Sequence, residues 1–283
     1  MAASSGSKSP DACPKNVSPF GSVKIEASSR PGLEAGDRDV TRMDPGYVAV
    51  HAEEDRRHWW FLGRQAIILA EMARWLPVGR LRLAELGCGS GGLLTGLARF
   101  GEVVGVEADP ALREAARRRG LPVLSGTLPD DIPLAPGTLD AACLFDVLEH
   151  LDDDGRALAG IRSLLVPGGL LFVTVPAYAW LWSRHDEILG HRRRYTARGL
   201  RLLAEQAGFH VERLTYFNTL LAAPIILVRL LHRAMGRDTH DLRRPPAPVN
   251  RLLAQCFALE ARLLRWTASP VGISLLMVAG RRE

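Results

Sequence analysis

Cysteine is scarce. The 283 residues hold only Cys13, Cys88, Cys143 and Cys256, far apart and without C-x-x-C spacing. That pattern excludes a clustered zinc site and a disulfide framework, and the expected setting is a reducing cytoplasm. Long hydrophobic runs are also missing. A membrane-spanning helix needs about 20 apolar residues, whereas the longest apolar stretch, 219–231, is short and interrupted by Pro224 and Arg229. Aromatic residues reach only 6% and no basic platform interleaves with them, so no nucleic-acid partner is expected. Lysine is confined to Lys8, Lys15 and Lys24; every later strong base is arginine. The net charge of +5 is too small to name a polyanionic partner by itself.

What is present is globular: 47% hydrophobic and 24% charged residues, with length for one large domain or two small ones. Residues 1–43 read as a disordered tail. Positions 1–40 hold eight Ser, four Gly and four Pro, with neither apolar periodicity nor the apolar core of a secretory signal. In 44–80, Val48, Ala52, Trp59, Trp60, Ile67, Ile68 and Met72 recur at helical spacing, which predicts one or two helices. From 81 to 283 short β-like runs alternate with helical patterns, the mark of parallel strands joined by crossover helices. Strands are expected at 81–86, 102–107, 121–124, 141–145, 170–175, 211–216 and 273–279. Helices are expected at 92–99, 110–119, 154–165 and 196–207. The fold class is therefore α/β: a doubly wound, mostly parallel, seven-stranded Rossmann-like sheet.

The first strand runs into a glycine-rich loop, Glu85-Leu86-Gly87-Cys88-Gly89-Ser90-Gly91-Gly92, that opens a helix. Glycines there let a ligand approach the backbone, and the helix start favours a phosphate or a carboxylate. Glu107 lies 20 residues after Gly87 at the end of the next strand, where an acid can accept hydrogen bonds from ribose hydroxyls. An adenosine-containing cofactor follows. Gly87-x-Gly89-x-x-Gly92 also fits the dinucleotide fingerprint, so an NAD-dependent dehydrogenase stands as a rival.

The later motifs separate the two. Glu85-x-Gly87-x-Gly89-x-Gly91, Val106-Glu107, the run from Phe145 to Leu151 (F-D-V-L-E-H-L) and Leu165-Val166-Pro167-Gly168-Gly169 together resemble the successive motifs of class I S-adenosylmethionine-dependent methyltransferases. The resemblance spans about 81–218 and implies S-adenosylmethionine as cofactor. It implies that Glu85, Gly87, Cys88, Gly89 and Gly91 hold the methionine portion and Glu107 with Ala108 the ribose. Thr127, Leu128, Phe145 and Asp146 would line the rest of the cleft. The acid that many members carry just after the third strand is absent from 124–129.

Glu149 and His150 lie beyond the fourth strand, on the side where ligands of doubly wound sheets bind. After the fifth strand comes His185-Asp186-x-x-x-Gly190-His191-x-Arg193-Arg194-Tyr195-Thr196, which resembles bacterial methyltransferases near the ubiquinone-pathway enzymes. His150, His185, Asp186, His191 and Tyr195 are the expected acceptor-side catalytic residues. Asp146, Glu149 and His150 have ligand chemistry for a divalent ion, which some quinone and phenol methyltransferases use, but metal-free transfer is the expectation.

Between the last two strands stands an insert, 219–272, with eight arginines against Asp238, Asp241 and Glu260. Asn250 is the expected N-cap of a helix reaching Trp266. Arg251, Arg262 and Arg265 fall on one arc of that helix, opposite leucines, Cys256 and Phe257. Such a helix either folds over the sheet or lies peripherally on the inner face of a membrane. The reading is an S-adenosylmethionine-dependent methyltransferase acting on an oxygen of a small or lipid-linked acceptor. The alternatives are the dehydrogenase and a cofactor-binding membrane adaptor without turnover.

Overall fold

The computed structural model describes residues 45–77, 79–235 and 244–282. The tail expected at 1–43 and part of the insert, 236–243, lie outside these residues. Two helices come first, α1 (Pro45–Glu54) and α2 (Trp59–Trp75). There follow β1 (Leu81–Leu86), α3 (Leu94–Leu97), β2 (Gly101–Glu107), α4 (Pro110–Arg118) and β3 (Val123–Ser125). The second half holds β4 (Leu139–Phe145), α5 (Asp154–Leu164), β5 (Leu165–Pro176), α6 (Arg184–Ile188), α7 (Ala197–Gln206) and β6 (Phe209–Phe217). It closes with α8 (Ala222–Ala234), α9 (Ala247–Leu263) and β7 (Ser274–Arg281).

The seven strands form one sheet in the order β3-β2-β1-β4-β5-β7-β6. The first five are parallel, and β7 runs antiparallel between β5 and β6. This is the doubly wound sheet that the alternating pattern predicts. Its order reverses between β1 and β4, which makes the carboxyl ends of those strands the natural crevice. Apolar side chains bury both faces. Leu144, Leu171 and Met277 belong to the layer under α5 and α7, while Leu83, Phe172 and Phe217 belong to the layer that includes Ile67 of α2 and Phe257 of α9.

Helix α9 reaches the sheet because α2 offers a glycine at the crossing: a Cβ on Gly63 would stand 2.5 Å from the Phe257 ring. Asn250 is not the cap of α9. Pro246 and Pro248 preset the helix start ahead of it. Within the first turns, Asn250 accepts from the Trp59 amide (2.9 Å) and donates to the Arg57 carbonyl (2.8 Å), fastening α9 to the start of α2. Glu260, on the same helix, turns inward and accepts from the Leu220 amide at 2.7 Å.

Several boundaries move for local reasons. The third strand pairs from Val123 rather than 121, since Pro122 has no amide to give a ladder. The helix expected at 92–99 shrinks to a single turn between Gly91–Gly92 and Gly101, residues that cost backbone entropy to order in a helix. The strand expected at 170 begins at Leu165, with a register shift around Gly168 in the left-handed region. Among the described residues no helix is long and apolar enough to cross a membrane.

Candidate active site

A cavity of about 760 Å³ opens across the carboxyl ends of β1, β2 and β4 and is walled by α1, α2, the segment after β5, and α8. Its floor is the glycine loop. The amides of Gly87 and Cys88 both donate to the Val106 carbonyl, at 2.8 and 3.1 Å, which turns the chain sharply at the end of β1. Gly87, Gly89 and Gly91 all have positive φ, but for different purposes. A Cβ at Gly87 would lie 2.6 Å from Val147, and one at Gly91 2.5 Å from Leu121. At Gly89 the nearest neighbour would be His51, at 3.6 Å, so this position is bare toward the cavity. Gly91, expected to contact cofactor, does not line the cavity; its missing side chain makes room for Leu121.

Glu107 closes the loop from β2. Its Oε2 accepts from the Gly89 amide at 2.7 Å and its Oε1 from the Asp109 amide at 2.8 Å, so each oxygen keeps a further lone pair. Burial pushes this carboxyl up, and the backbone bonds from Asp109 and Gly89 work against that. Glu85, at the end of β1, is buried and its Oε2 has no hydrogen-bond partner. Burial, only partly opposed by Arg64, pushes its carboxyl up to about 8. Cys88, Ala108, Thr127, Leu128, Phe145 and Asp146 also line the cavity.

Among the lining residues that escape sequence reasoning are His51, Asp55 and Arg64, from α1, the turn after it and α2. The Ser90 hydroxyl donates to the Asp55 carboxylate. Arg119, beyond α4, bridges Asp55 Oδ2 and the Ser90 carbonyl, each at 2.8 Å. The turn after α1 is thereby tied to the glycine loop. Arg64 makes the second tie, 2.7 Å from Asp146 Oδ2 and 3.2 Å from Thr174 Oγ1, with its guanidinium 5.9 Å from the centre of the Phe145 ring. Asp146 sits at φ 58, an unusual setting for a residue with a side chain. It is held there by Arg64 and by the Thr174 hydroxyl, which donates to Oδ1 at 3.0 Å.

The acceptor-side residues divide into two groups. His150, His185 and His191 line the cavity; Asp186 and Tyr195 do not. Asp186 is fully buried. One oxygen meets His191 Nδ1 at 2.9 Å and Arg194 Nε at 2.8 Å, and the other meets Arg194 Nη2 at 3.0 Å and the Ser183 amide at 2.8 Å. Burial alone would push this carboxyl up, but the bonds from His191 and Arg194 outweigh it and hold it well below the usual carboxylate range. Tyr195 is likewise a support. Its hydroxyl lies 2.7 Å from Asp154 Oδ2 and 3.1 Å from the Leu148 carbonyl, and burial with the Asp154 bond pushes it far above the usual phenol range.

With Nδ1 engaged by Asp186, the other nitrogen of His191 faces Glu149, 4.0 Å from Oε1. Glu149 is 0% exposed and neither of its oxygens has a hydrogen-bond partner. Burial first, then the nearby Asp146 charge, pushes its carboxyl well up. The His150 ring stands edge-on to His191 with centroids 4.8 Å apart, and burial lowers it to about 4, so it is neutral near pH 7. Glu149, His150 and His191 each place one ligand-type atom within 4.8 Å of the others. Asp146, grouped with Glu149 and His150 by sequence, is instead paired with Arg64.

A family profile described as "Methyltransferase domain" matches residues 41–214. The chain is 32% identical over 168 residues to a probable S-adenosylmethionine-dependent methyltransferase of Mycolicibacterium smegmatis, covering 57% of this chain and 62% of that protein. It is 37% identical over 102 residues to a ubiquinone biosynthesis O-methyltransferase of Cereibacter sphaeroides, covering 34% and 41%. The match thus spans less than two thirds of the length of these relatives. Among solved structures, phosphoethanolamine N-methyltransferase 2 of Haemonchus contortus, in complex with S-adenosyl-L-methionine, shares the fold with a TM-score of 0.57 at 16% identity, covering 87% of this chain and 59% of that one.

Proposed function

This chain belongs to the class I S-adenosylmethionine-dependent methyltransferases, and on that premise we propose that it methylates a hydroxyl oxygen of a small or lipid-linked acceptor, with His191 taking the proton. The observation that carries the proposal is the buried Asp186 bound to Nδ1 of His191, a residue of the cavity lining, which leaves the opposite ring nitrogen, 4.0 Å from Glu149, as the proton acceptor.

The cavity fits the cofactor at three points. Gly89 is bare toward it, Glu107 offers two oxygens with spare lone pairs, and the partnerless Oε2 of Glu85 suits an ammonium group. Bound S-adenosylmethionine supplies a methyl group on a positively charged sulfur, already activated toward a nucleophile. The protein's remaining work is to orient the acceptor, exclude water and receive one proton. Asp186 fixes the tautomer and direction of His191, and Arg194 fixes Asp186 by two parallel bonds. His150, neutral near pH 7, offers the acceptor a hydrogen bond. Arg64 ties α2 to Asp146, and the Arg119–Asp55–Ser90 tie fastens the turn after α1 to the glycine loop.

The test is incubation with labelled S-adenosylmethionine and host extract, followed by identification of the labelled product. Label on an ether or ester oxygen is expected; label on a nitrogen or carbon would overturn oxygen transfer. A second reading rests on the two partnerless oxygens of Glu149: with His150 and His191 they would hold a divalent cation that polarises the acceptor. Under the His191-base reading, turnover survives dialysis against a chelator unchanged. Loss of turnover, restored by a divalent metal, would transfer the role of His191 from base to ligand.

Glu85 yields a further expectation. Its carboxyl is largely protonated near pH 7 in the free protein, because it titrates at about 8. An ammonium beside it favours the ionised form, so cofactor binding near pH 7 should release most of one proton. The release should shrink as the pH rises past 8, where Glu85 is already ionised. Titration calorimetry in buffers of different ionisation enthalpy measures it. A proton count near zero at pH 7 would remove Glu85 from the ammonium site.

A further inference from the structure

We infer that the outer faces of α8 and α9 dock on the surface of an anionic phospholipid bilayer, alongside the mouth of the cavity. Helix α9 carries two apolar stripes. The inner one, with Phe257 and Leu264, is buried against the sheet layer. The outer one, Leu252, Leu259 and Leu263, lies along one side at about 100° per residue and is 45–60% exposed. Trp266, just beyond the helix end, is 89% exposed.

The flank of that outer stripe is basic. Arg251 and Arg262 lie on one side of it and Arg265 continues the line, all exposed. Among the described residues no carboxylate pairs with them. The single acid of α9, Glu260, is turned inward onto the Leu220 amide. An outward face of leucine and tryptophan edged by unneutralised arginine is complementary to acyl chains below a layer of lipid phosphates.

Helix α8 adds the link to the site. Leu221, Pro224, Ile225 and Val228 line the cavity, while Leu227, Leu230 and Leu231 of the same stretch are 50–58% exposed. One thin apolar wall therefore separates the cavity from the outer face. Since no described helix is long enough to cross a bilayer, the contact this surface permits is parallel to the membrane plane. A purely protein partner would have to supply an apolar groove and acids together; a bilayer containing phosphatidylglycerol supplies both at once.

The docking is measured without turnover, so its failure is separable from failure of the methyl-transfer proposal. The full chain is floated with vesicles of phosphatidylcholine alone and of phosphatidylcholine mixed with phosphatidylglycerol. Recovery with the anionic vesicles and little with the neutral ones is expected. The double variant Leu230→Asp, Leu231→Asp should lose binding at least tenfold, and the triple variant Arg251→Ser, Arg262→Ser, Arg265→Ser about a hundredfold. All these side chains are exposed and none lines the cavity, so both variants should keep the wild-type affinity for S-adenosylhomocysteine, which reports that they are folded. No recovery of the wild-type chain with anionic vesicles overturns the inference. So does equal recovery of folded double variant and wild type, or a self-association in sedimentation that the double variant abolishes while vesicles are ignored.

Discussion

Replacing His191 by glutamine is expected to lower kcat by roughly two to four orders of magnitude, the usual contribution of a positioned general base, while the affinity for S-adenosylmethionine stays within about twofold of wild type. Glutamine keeps a polar side chain in the cavity but cannot take a proton. The neighbouring His150 cannot substitute, because burial holds it at about 4 and, among the described residues, no carboxylate is hydrogen-bonded to its ring as Asp186 is to that of His191. A kcat above half of the wild-type value would sink the assignment.

Asp186→Asn separates positioning from proton transfer. The variant removes the charge shared by His191 and Arg194, and leaves the nearly buried Arg194 guanidinium without its counter-ion. Breaking a buried pair from one side costs about 3–5 kcal/mol. The sign with pH is fixed by the lowered carboxyl. Its stabilising contribution is fully present above the ordinary aspartate value near 4 and is lost only as strong acid protonates it in the folded state. Wild type should therefore exceed Asp186→Asn in melting temperature across neutral pH, and the gap should narrow only in strong acid. A variant as stable as wild type at neutral pH would show that Arg194 finds another partner.

The legible part of the molecule is the part whose physics is local. The bare glycines, the acid 20 residues on, and the alternation of strand and helix periods are short-range patterns, and the sheet follows from them. The supports of the site are tertiary. Asp55, Arg64 and Arg119 meet the glycine loop and Asp146 across long stretches of chain, and nothing in the spacing of α1 and α2 marks them. The same blindness explains the residues placed one layer too far forward. Asp186 and Tyr195 have catalytic side chains by type, yet each is buried on a neighbour that it holds: His191 and Arg194 for the first, Asp154 for the second. Gly91 belongs to the loop motif, but what it accommodates is Leu121. Asn250 has a capping side chain, yet two prolines preset the helix start and release it to join α9 to α2. Residue type and spacing identify a chemistry; which layer of the site carries it depends on contacts that no local pattern encodes.

Glu107→Gln is expected to weaken cofactor binding at least hundredfold. The carboxylate faces two ways at once: its oxygens accept from the Gly89 and Asp109 amides, and in the proposed binding mode their remaining lone pairs would accept from the ribose hydroxyls. Hydrogen bonds to a charged acceptor are worth roughly 1.5–3 kcal/mol each, so losing the charge alone approaches the hundredfold mark. Geometry adds to it. The amide side chain has one acceptor where two are needed, so its NH2 must face either the Gly89 amide or the Asp109 amide, a donor against a donor. The loop then shifts at the one loop glycine that is bare to the cavity, or the chain at Asp109, which leads into α4, loosens. Thermal shift gives a second readout. A ligand at about 100 times its Kd stabilises by about 2.7 kcal/mol, and after a hundredfold loss of affinity almost none of that remains. The melting temperature of the variant should hence be nearly indifferent to S-adenosylhomocysteine that raises the wild type by several degrees. A Kd within threefold of wild type would mean that the sugar is held elsewhere and that Glu107 serves only to tie the loop to β2.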